Sequence, residues 1–528
     1  MSLRVHQGVA FLTALTFVAF LSACQKHHEA VTTYHYDNFR TGWNHEEKEL
    51  TYGKVQSARF GLIQNVALDD QVDAQPLVVP HVDIPTGPSP GVHDVVYVAT
   101  ESNTVYAIDA SSGEILLHPN FGTPVPLPLG CTNNGPNVGI NGTPVIDRET
   151  RTLYVITYTL EAGTPVYRLH ALDLSSLTDK MPSAVVSASH KLTNNMSFAF
   201  NAANQRQRPA LLLSKGNVYA GFGSFCDYAV NVSRGWVLGW SASTLSPLAA
   251  NQLNDTQATS PNSFFLSSVW MSGYGLAADP SGDIYFITGN SDPSGTTYDG
   301  TTNIQESVVR LAPDLSKVLD IFTPFNWGNL DQVDNDFGSA GALLLPPQEG
   351  STPDLIAAAG KDGRMFILDR HSLGGYTPGG PDKVVTQVSI GGCWCGQSYF
   401  HHKIVSSGGS NVMLWRIKTS PTVSLQKEGT SAGIGGAQFP GFFTSISSDG
   451  DDHPIIWAVS RPNNPSPADV SLFAFKAEPN GSGTLDTLFQ ATAGSWPNTG
   501  GDANIVPTVV NGKVYVASNK QLSIFGMH

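Results

Sequence analysis

The chain has 528 residues, of which 52 are Gly, 34 are Pro and only 14% are charged, while 41% are hydrophobic. This composition indicates a turn-rich protein with enough apolar residues for a core, and it argues against disorder outside the ends. The formal net charge of -14 excludes nucleic acid as a main partner, because binding to phosphates needs clustered Lys and Arg.

The first 24 residues predict export and lipid attachment. Arg4 gives a basic start, residues 9–21 form an apolar run, and the run ends in small residues and Cys24. This arrangement resembles a bacterial lipobox, in which the cysteine thiol receives diacylglycerol and becomes the mature N-terminus. We therefore expect a signal peptide over residues 1–23 and a lipid anchor on Cys24 at the periplasmic face of a membrane. The outer membrane is favoured by Gln25. An ordinary cleaved signal peptide and a short transmembrane helix are the alternatives, and the run is too short for the helix.

A hairpin pattern recurs along the rest of the chain. Val95–Asp109 shows it first, because β-branched and aromatic residues alternate there with small ones through two strands and a turn. Lys513–Phe525 repeats the pattern near the C-terminus. Related hairpins lie between these two, at residues 153–173, 217–240, 283–311, 355–369 and 455–475. Further short strands flank the hairpins, so each repeat predicts a four-stranded blade.

The repeats predict an all-β fold, a single β-propeller of about eight blades over residues 34–528, preceded by a short tether at 24–33. The least regular blade is the one at residues 397–418. Phe60–Leu68 precedes the first complete blade and has no hairpin partner. We expect it to add the outer strand to the last blade, residues 503–526, which would close the ring and remove free sheet edges. A pair of β-sandwiches is the alternative, but it would not need one motif repeated throughout.

Four cysteines remain after the predicted anchor: Cys131, Cys226, Cys393 and Cys395. An oxidising compartment permits disulfides, and four thiols allow three pairings among which the sequence does not decide. The C-W-C spacing differs from the C-x-x-C of redox and metal sites. We expect structural thiols or a local clip there before a redox centre.

The repeats resemble those of the quinoprotein alcohol dehydrogenase-like superfamily, the pyrroloquinoline-quinone (PQQ)-like propellers. Val96–Gly113 is similar to the hairpin of that family and to its A-x-D-x-x-[ST]-G turn. The similarity covers nearly all of residues 34–526 at the level of the repeat. The sequence departs from the family at Leu117, where a tryptophan is expected. Many propellers with this repeat are not enzymes, including an outer-membrane assembly lipoprotein, so the resemblance implies the fold before any function.

A more specific resemblance implies a cofactor site in the middle of the chain. Asn290 stands in a segment that resembles the T-G-N-x-x-P of PQQ alcohol dehydrogenases, whose asparagine binds calcium. Asp227 lies near the place of an acidic calcium ligand. Lys361 lies where the family presents a basic side chain to PQQ, and Trp270 corresponds to the aromatic floor under the quinone. The stretch Asp334–Asp336 resembles the W-D-x-D of the same family.

The chemistry of that family explains these residue types. Calcium takes several oxygen ligands and polarises the quinone carbonyl, and a carboxylate removes the proton of the alcohol. By the resemblance, the catalytic aspartate falls near Thr302 and Asn303, where this sequence has no acid. The nearest carboxylate is Asp299, which is the candidate base here. The adjacent cysteine pair that contacts PQQ is missing, and so is a C-x-x-C-H haem motif.

Each candidate also has a purely structural interpretation. Asn290 is typical of a β-turn, Lys361 of a hairpin turn with a solvated charge, and Trp270 of packing between blades. The carboxylates of residues 331–336 fit an acidic surface turn equally well. Two functions therefore stay open. One is a membrane-anchored module that binds envelope proteins or a small ligand, and the other is a PQQ- and calcium-dependent alcohol or sugar dehydrogenase with a divergent site.

Overall fold

The computed structural model describes residues 1, 28–131, 135–225, 233–261, 264–292, 297–434, 440–461, 468–497 and 504–528. Cys24, Cys226 and Asp227 lie outside these described residues. Within them, no helix is long and apolar enough to cross a membrane. The strands form eight sheets arranged as a β-propeller, which confirms the fold predicted from the repeats.

The blades follow one another in chain order, and neighbouring strands within a blade pair antiparallel, apart from the parallel strands named below. In blade 3, Gln205–Arg206 and Leu212–Ser214 both pair with Asn217–Ser224. Blade 1 consists of Leu77–Ile84, Gly91–Ala99, Val105–Asp109 and Ile115–Leu117, and blade 2 of Val145–Asp147, Thr152–Glu161, Thr164–Asp173 and Ala184–Val185. Blade 3 consists of Gln205–Arg206, Leu212–Ser214, Asn217–Ser224, Trp236–Ser241 and Gln252–Leu253. Blade 4 consists of Ala277–Ala278, Ile284–Ile287, Val308–Leu311 and Val318–Thr323, to which Gly375–Tyr376 adds a parallel strand.

Blades 5 to 8 complete the ring. Blade 5 consists of Ala342–Leu344, Leu355–Ala359, Arg364–Asp369 and Thr386–Ser389, and blade 6 of Ser398–Phe400, Lys403–Ser406, Met413–Lys418 and Ser424–Ser431 with the parallel strand Thr484–Leu485. Blade 7 consists of Phe443–Asp449, Asp452–Val459, Ala468–Lys476 and Thr487–Trp496 with the parallel strand Trp43–Asn44. Blade 8 consists of Thr508–Val510, Lys513–Met527 and Phe60–Gln71.

Short elements lie between the blades. The strand pairs are Val125–Pro126 with Asn137–Val138, Ser189–Lys191 with Ser197–Ala199, and Ser233–Arg234 with Phe265–Leu266. The α-helices are Tyr52–Val55 and Trp327–Val333, and the 3-10 helices are Pro128–Gly130, Met271–Gly273 and Phe337–Ser339.

Burial between neighbouring blades explains the sequence of the middle strands. Ile284–Ile287 and Leu355–Ala359 are fully buried along their whole length, because each blade packs on a neighbour with both faces. Such strands appear in the sequence as continuous apolar runs rather than as strict alternation. The first strands of neighbouring blades contact one another from blade 2 to blade 5 and from blade 6 to blade 8, so they surround the axis.

The eighth blade combines an early strand with the last strand of the chain. Phe60–Gln71 pairs antiparallel with Lys513–Met527, with Phe60 opposite Met527 and Ala67 opposite Gln521. Thr508–Val510 pairs on the other side of the same segment. An early strand therefore covers a sheet edge that the C-terminal residues would otherwise leave open.

Residues 28–50, which we call the axial segment, hydrogen-bond to all eight blades. The segment starts within the predicted tether, so the packed body begins before residue 34. The contacts from blade 1 to blade 8 are Val31 with Val78 (2.8 Å in both directions), Thr32 O with Ile146 N (2.8 Å), Asn38 Nδ2 with Leu213 O (2.9 Å), Asn38 O with Ala278 N (2.8 Å), Phe39 O with Leu344 N (3.0 Å), Thr41 O with Tyr399 N (2.7 Å), Gly42 O with Ile446 N (2.7 Å), and Asn44 Nδ2 with Val509 O (3.0 Å).

Arg40 is the centre of the axial segment. Its side chain is fully buried, and its guanidinium donates to Leu276 O (2.6 and 2.8 Å), Tyr34 O (2.9 Å) and Leu211 O (3.2 Å). Burial lowers the pKa of Arg40 to about 10, so the group stays charged at neutral pH. Tyr34 and His35 stack with ring centroids 4.5 Å apart. These side chains fill the axis where the segment lies.

Replacing Arg40 by Met should destabilise the whole ring. The change leaves several buried carbonyl oxygens without a donor, and we expect the free energy of unfolding to fall by about 3 kcal/mol or more. Guanidinium chloride unfolding followed by tryptophan fluorescence measures this loss. Arg59, which is exposed and donates to His528 O, provides the control, since Arg59→Met should change stability by no more than about 0.5 kcal/mol. Equal effects of the two substitutions would contradict the role given to Arg40.

Candidate functional site

Three of the predicted site residues, Trp270, Asn290 and Lys361, lie at one end of the propeller. Trp270 precedes the first strand of blade 4 and Asn290 follows its second strand, while Asp336 and Lys361 hold the same two places in blade 5. Because the first and second strands of a blade are antiparallel, the residues before the first strand and those after the second strand lie at the same end of the blade. The turns that join first to second strands lie at the other end, where the axial segment contacts Asn511 and Gly450.

Lys361 is the centre of this group. Its Nζ lies 2.9 Å from Asp334 Oδ1 and 3.0 Å from Asp336 Oδ2. The same atom lies 5.6 Å from the ring centroid of Trp270 and 5.2 Å from that of Trp394. The side chain is only 5% exposed, so Lys361 is not the solvated charge of a hairpin turn.

Asn290 is tied to the same two carboxylates. Its backbone N–H donates to Asp336 Oδ1 (3.0 Å), and its side-chain Nδ2 donates to Asp334 Oδ1 (3.0 Å). The residue is buried. These bonds join the blade 4 loop to the blade 5 loop, so Asn290 and Lys361, which are far apart in sequence, share one polar cluster.

Trp270 is partly exposed and is therefore not simply a core residue. The guanidinium carbon of Arg208 lies 5.3 Å from its ring centroid. A Cβ atom on Gly289 would lie 3.0 Å from Trp270 Nε1, so the glycine lets the indole approach the backbone. We call Arg208, Trp270, Asn290, Asp334, Asp336, Lys361 and Trp394 the mouth cluster.

Two buried acids lie behind the mouth cluster. Glu306 is fully buried, and its Oε2 accepts from Phe337 N (2.6 Å), whereas its Oε1 has no hydrogen-bond partner in the described structure. Asp331 accepts from Ser291 N (3.1 Å) and from Gln305 Nε2 (2.8 Å). Both acids are therefore part of the interior, and of the carboxylates in residues 331–336 only Asp334, which is 48% exposed, is at the surface.

Burial makes all three interior carboxyls difficult to ionise. It raises the pKa of Glu306 well above its usual range, with further contributions from Asp336 and Asp331. It raises the pKa of Asp331 to about 8, and the charge of Asp336 adds to the effect. The pKa of Asp336 is raised as well, although Lys361 opposes the shift. With a pKa of about 8, Asp331 titrates near neutral pH, and perturbed carboxyls of this kind are a feature of many functional sites.

Asp299, the candidate base from the sequence, lies apart from the mouth cluster. It is exposed, and its carboxylate accepts from the backbone N–H groups of Thr301 (2.8 Å), Thr302 (2.7 Å) and Asn303 (3.0 Å). These bonds give it the role of a turn cap. The carboxylates beside Lys361 are those of Asp334 and Asp336, of which Asp336 is the buried one.

The cysteines and the metal ligands are only partly described. Cys393 and Cys395 form a disulfide on either side of Trp394, and Cys131 is also disulfide-bonded. Within the described ranges, no group of three or more His, Cys, Asp or Glu side chains is arranged to hold a metal ion. Because Asp227 lies outside those ranges, the calcium site remains a prediction.

Sequence reasoning missed Arg208, Glu306 and Trp394. A basic residue or an acid in a loop before a strand is an ordinary feature, so Arg208 and Glu306 gave no signal of their own. The C-W-C spacing was a signal for Trp394, because a tryptophan between two bridged cysteines is held in a fixed place.

Known proteins match this chain in structure but not in sequence. No family model matches the sequence, and neither does any curated protein. A quinohemoprotein alcohol dehydrogenase from Comamonas testosteroni superposes with a TM-score of 0.62 at 15% identity, over 94% of this chain and 80% of the other. The likeness shows a shared β-propeller fold. The alcohol dehydrogenase ADHIIG from Pseudomonas putida HK5 gives 0.61 at 14% identity, over 94% and 80%.

A third solved structure extends the same comparison. A europium-containing methanol dehydrogenase gives a TM-score of 0.58 at 14% identity, over 94% of this chain and 98% of that chain. At such identities the likeness concerns the fold alone, because one fold carries many functions. The function must therefore be argued from the mouth cluster.

The raised pKa of Asp331 predicts how stability depends on pH. Well below pH 4 this carboxyl is protonated in both the folded and the unfolded chain, so its titration does not reduce the free energy of unfolding there. The free energy of unfolding falls as pH rises from about 4 to about 8, because over this range the folded state holds a proton that the unfolded state has released. Between pH 4.5 and pH 8.5, the free energy of unfolding of the wild type should therefore fall by about 1–3 kcal/mol more than that of Asp331→Asn.

Urea unfolding at the two pH values measures this difference. Asp452→Asn, at an exposed carboxylate, is the matched control and should follow the wild type. A wild type and an Asp331→Asn variant that lose stability in parallel over this range would show that Asp331 ionises normally.

Proposed function

We propose that this PQQ-like propeller is a ligand-binding module whose mouth cluster binds a planar, polyanionic aromatic molecule of the PQQ type. The observation that carries the proposal is the position of the Lys361 ammonium within 6 Å of two indole rings, those of Trp270 and Trp394. Flat rings suit stacking, and a cation between them suits an acidic substituent on the stacked ring.

The charges around Lys361 support a second, cationic component. Asp334 and Asp336 both bind Lys361 in the free protein, and Glu306 and Asp331 add buried acids behind them. An anionic ligand would have to compete with these carboxylates for Lys361, unless a cation offsets them. The unpaired Oε1 of Glu306 and the hard oxygen donors of the cluster fit calcium in kind.

Calcium therefore enters the proposal with Asn290, Glu306 and the predicted ligand Asp227 as its oxygen donors. When bound, calcium would polarise a carbonyl of the quinone. Since the described residues alone form no metal-binding group, this part of the proposal depends on Asp227.

Alcohol or sugar oxidation is the second candidate function, and Asp336 is the residue that favours it. A buried carboxylate with a raised pKa accepts a proton more readily at neutral pH than an exposed one. Lys361 holds Oδ2 of this side chain, and the N–H of Asn290 holds Oδ1. Asp336 would then receive the hydroxyl proton of the substrate, in the place that the sequence gave to Asp299.

Binding of PQQ in the presence of calcium tests the ligand. We expect quenching of tryptophan fluorescence that saturates, and we expect Lys361→Met and Trp270→Leu each to weaken the affinity about tenfold or more. Two substitutions outside the cluster are matched controls. The Nζ of Lys403 lies 5.7 Å from the ring centroid of Phe400 and pairs with Glu428. Trp327 packs against Tyr298. Lys403→Met and Trp327→Leu should leave the affinity unchanged.

The same titration separates the functions. A wild-type protein that binds neither PQQ alone nor PQQ with calcium would contradict the ligand, and binding of an envelope protein would then be the remaining interpretation. If PQQ binds, alcohol-dependent dye reduction that is lost in Asp336→Asn, with PQQ affinity retained, would support the dehydrogenase. Retained activity in Asp336→Asn would rule out this residue as the base.

We also propose that the protein is a lipoprotein of the bacterial envelope, anchored through Cys24. The support is the lipobox-like sequence that ends in Cys24. Expression in a bacterial host with a labelled fatty acid should give a labelled, membrane-bound product. Cys24→Ser should abolish the label and release the protein from the membrane fraction, whereas His27→Ala should change neither. A labelled Cys24→Ser product would exclude this anchor.

A further inference from the structure

The loop that carries Trp394 is closed into a small ring by the Cys393–Cys395 disulfide. The Cα atoms of the two cysteines are 4.9 Å apart. An extended chain would place such residues about 6.6–7.2 Å apart, so the ring holds the loop in a tight turn. Both cysteines are fully buried, while Trp394 is partly exposed. The buried bridge is thus the base of the loop, and the indole is the part that reaches the mouth.

Hydrogen bonds fasten this loop to its surroundings. Cys393 N donates to Gly360 O (3.2 Å), and Trp394 N donates to Pro440 O (3.1 Å). Arg461 donates through Nη2 to Trp394 O. Gly360 directly precedes Lys361, so the loop is bound to the same turn that positions the ammonium. The disulfide and these bonds together fix the backbone of Trp394 relative to Lys361.

We propose that Trp394 is the second aromatic wall of the ligand site, opposite Trp270, and that the Cys393–Cys395 disulfide sets ligand affinity by holding this wall in place. The proposal rests on the function proposed above, and its occupant is the same planar anion. Lys361 connects the two walls, since its ammonium lies within cation–π distance of both rings. Trp394 is therefore assigned as a ligand-contacting residue, and the disulfide as a positioning device.

The physical reason is the cost of ordering a side chain on binding. A tryptophan on an open loop must give up several conformations before it can stack on a ligand, and this cost reduces affinity. A ring closed by a disulfide removes most of that freedom before the ligand arrives. Opening the bridge should therefore weaken binding even though neither sulfur touches the ligand.

Acrylamide quenching of the ligand-free protein tests the positioning role without any cofactor. The contribution of Trp394 is the difference between proteins with Trp and with Phe at position 394. We expect acrylamide to quench the fluorescence of Trp394 clearly more in Cys393→Ser/Cys395→Ser than in the protein with the intact disulfide. Equal quenching in the two backgrounds would overturn the role of the disulfide. If the double variant fails to fold, mild phosphine reduction of the folded wild type provides the open form.

PQQ titration tests the wall itself. Trp394→Leu should lower the affinity about tenfold, Trp394→Phe should keep most of it, and Trp327→Leu should keep all of it. Wild-type binding that Trp394→Leu leaves unchanged would overturn the inference while the proposed function stands. A wild type that does not bind PQQ would overturn the proposed ligand and, with it, the wall, and the quenching result would then decide the disulfide alone.

Discussion

The inner edges of eight blades present backbone groups toward one axis, and these groups must find partners. The axial segment supplies partners to all eight blades, and the buried charge of Arg40 draws carbonyls of blades 3 and 4 together with its own turn. A buried guanidinium is costly unless its donors are used, and here nearly all of them are. The segment therefore fills one end of the axis with a fixed structure and leaves the opposite end for the mouth cluster.

At the mouth cluster, titratable side chains are concentrated in one place. Asp334, Asp336, Asp331 and Glu306 surround a region in which Lys361 is the central cation. Stability alone would favour apolar residues in such a place, because burial of carboxyls raises their pKa and costs free energy. Retained polar groups of this kind are the physical basis of the proposal that the mouth binds charged ligands.

The fold follows from local signals, whereas the site follows from long-range ones. Strand pairs such as Val95–Ala99 with Val105–Asp109 are adjacent in sequence, so alternation and turn residues are sufficient to predict them. Asn290 and Lys361 came from a resemblance, and the structure brings them together through Asp334. Asp299 was chosen because it was close in sequence to the expected base, but Asp336 lies nearer to Lys361 in space. Only closure of the ring brings residues from blades 3 to 6 to one mouth.

The axial segment also constrains the order of events when the chain folds. Its partners extend from Gln75 to Gly512, so residues that leave the ribosome early have no complete binding surface until the last blade exists. Contacts of such long sequence separation form slowly, and the chain remains open while they are missing. The propeller therefore cannot complete its axis until the eighth blade has been synthesised.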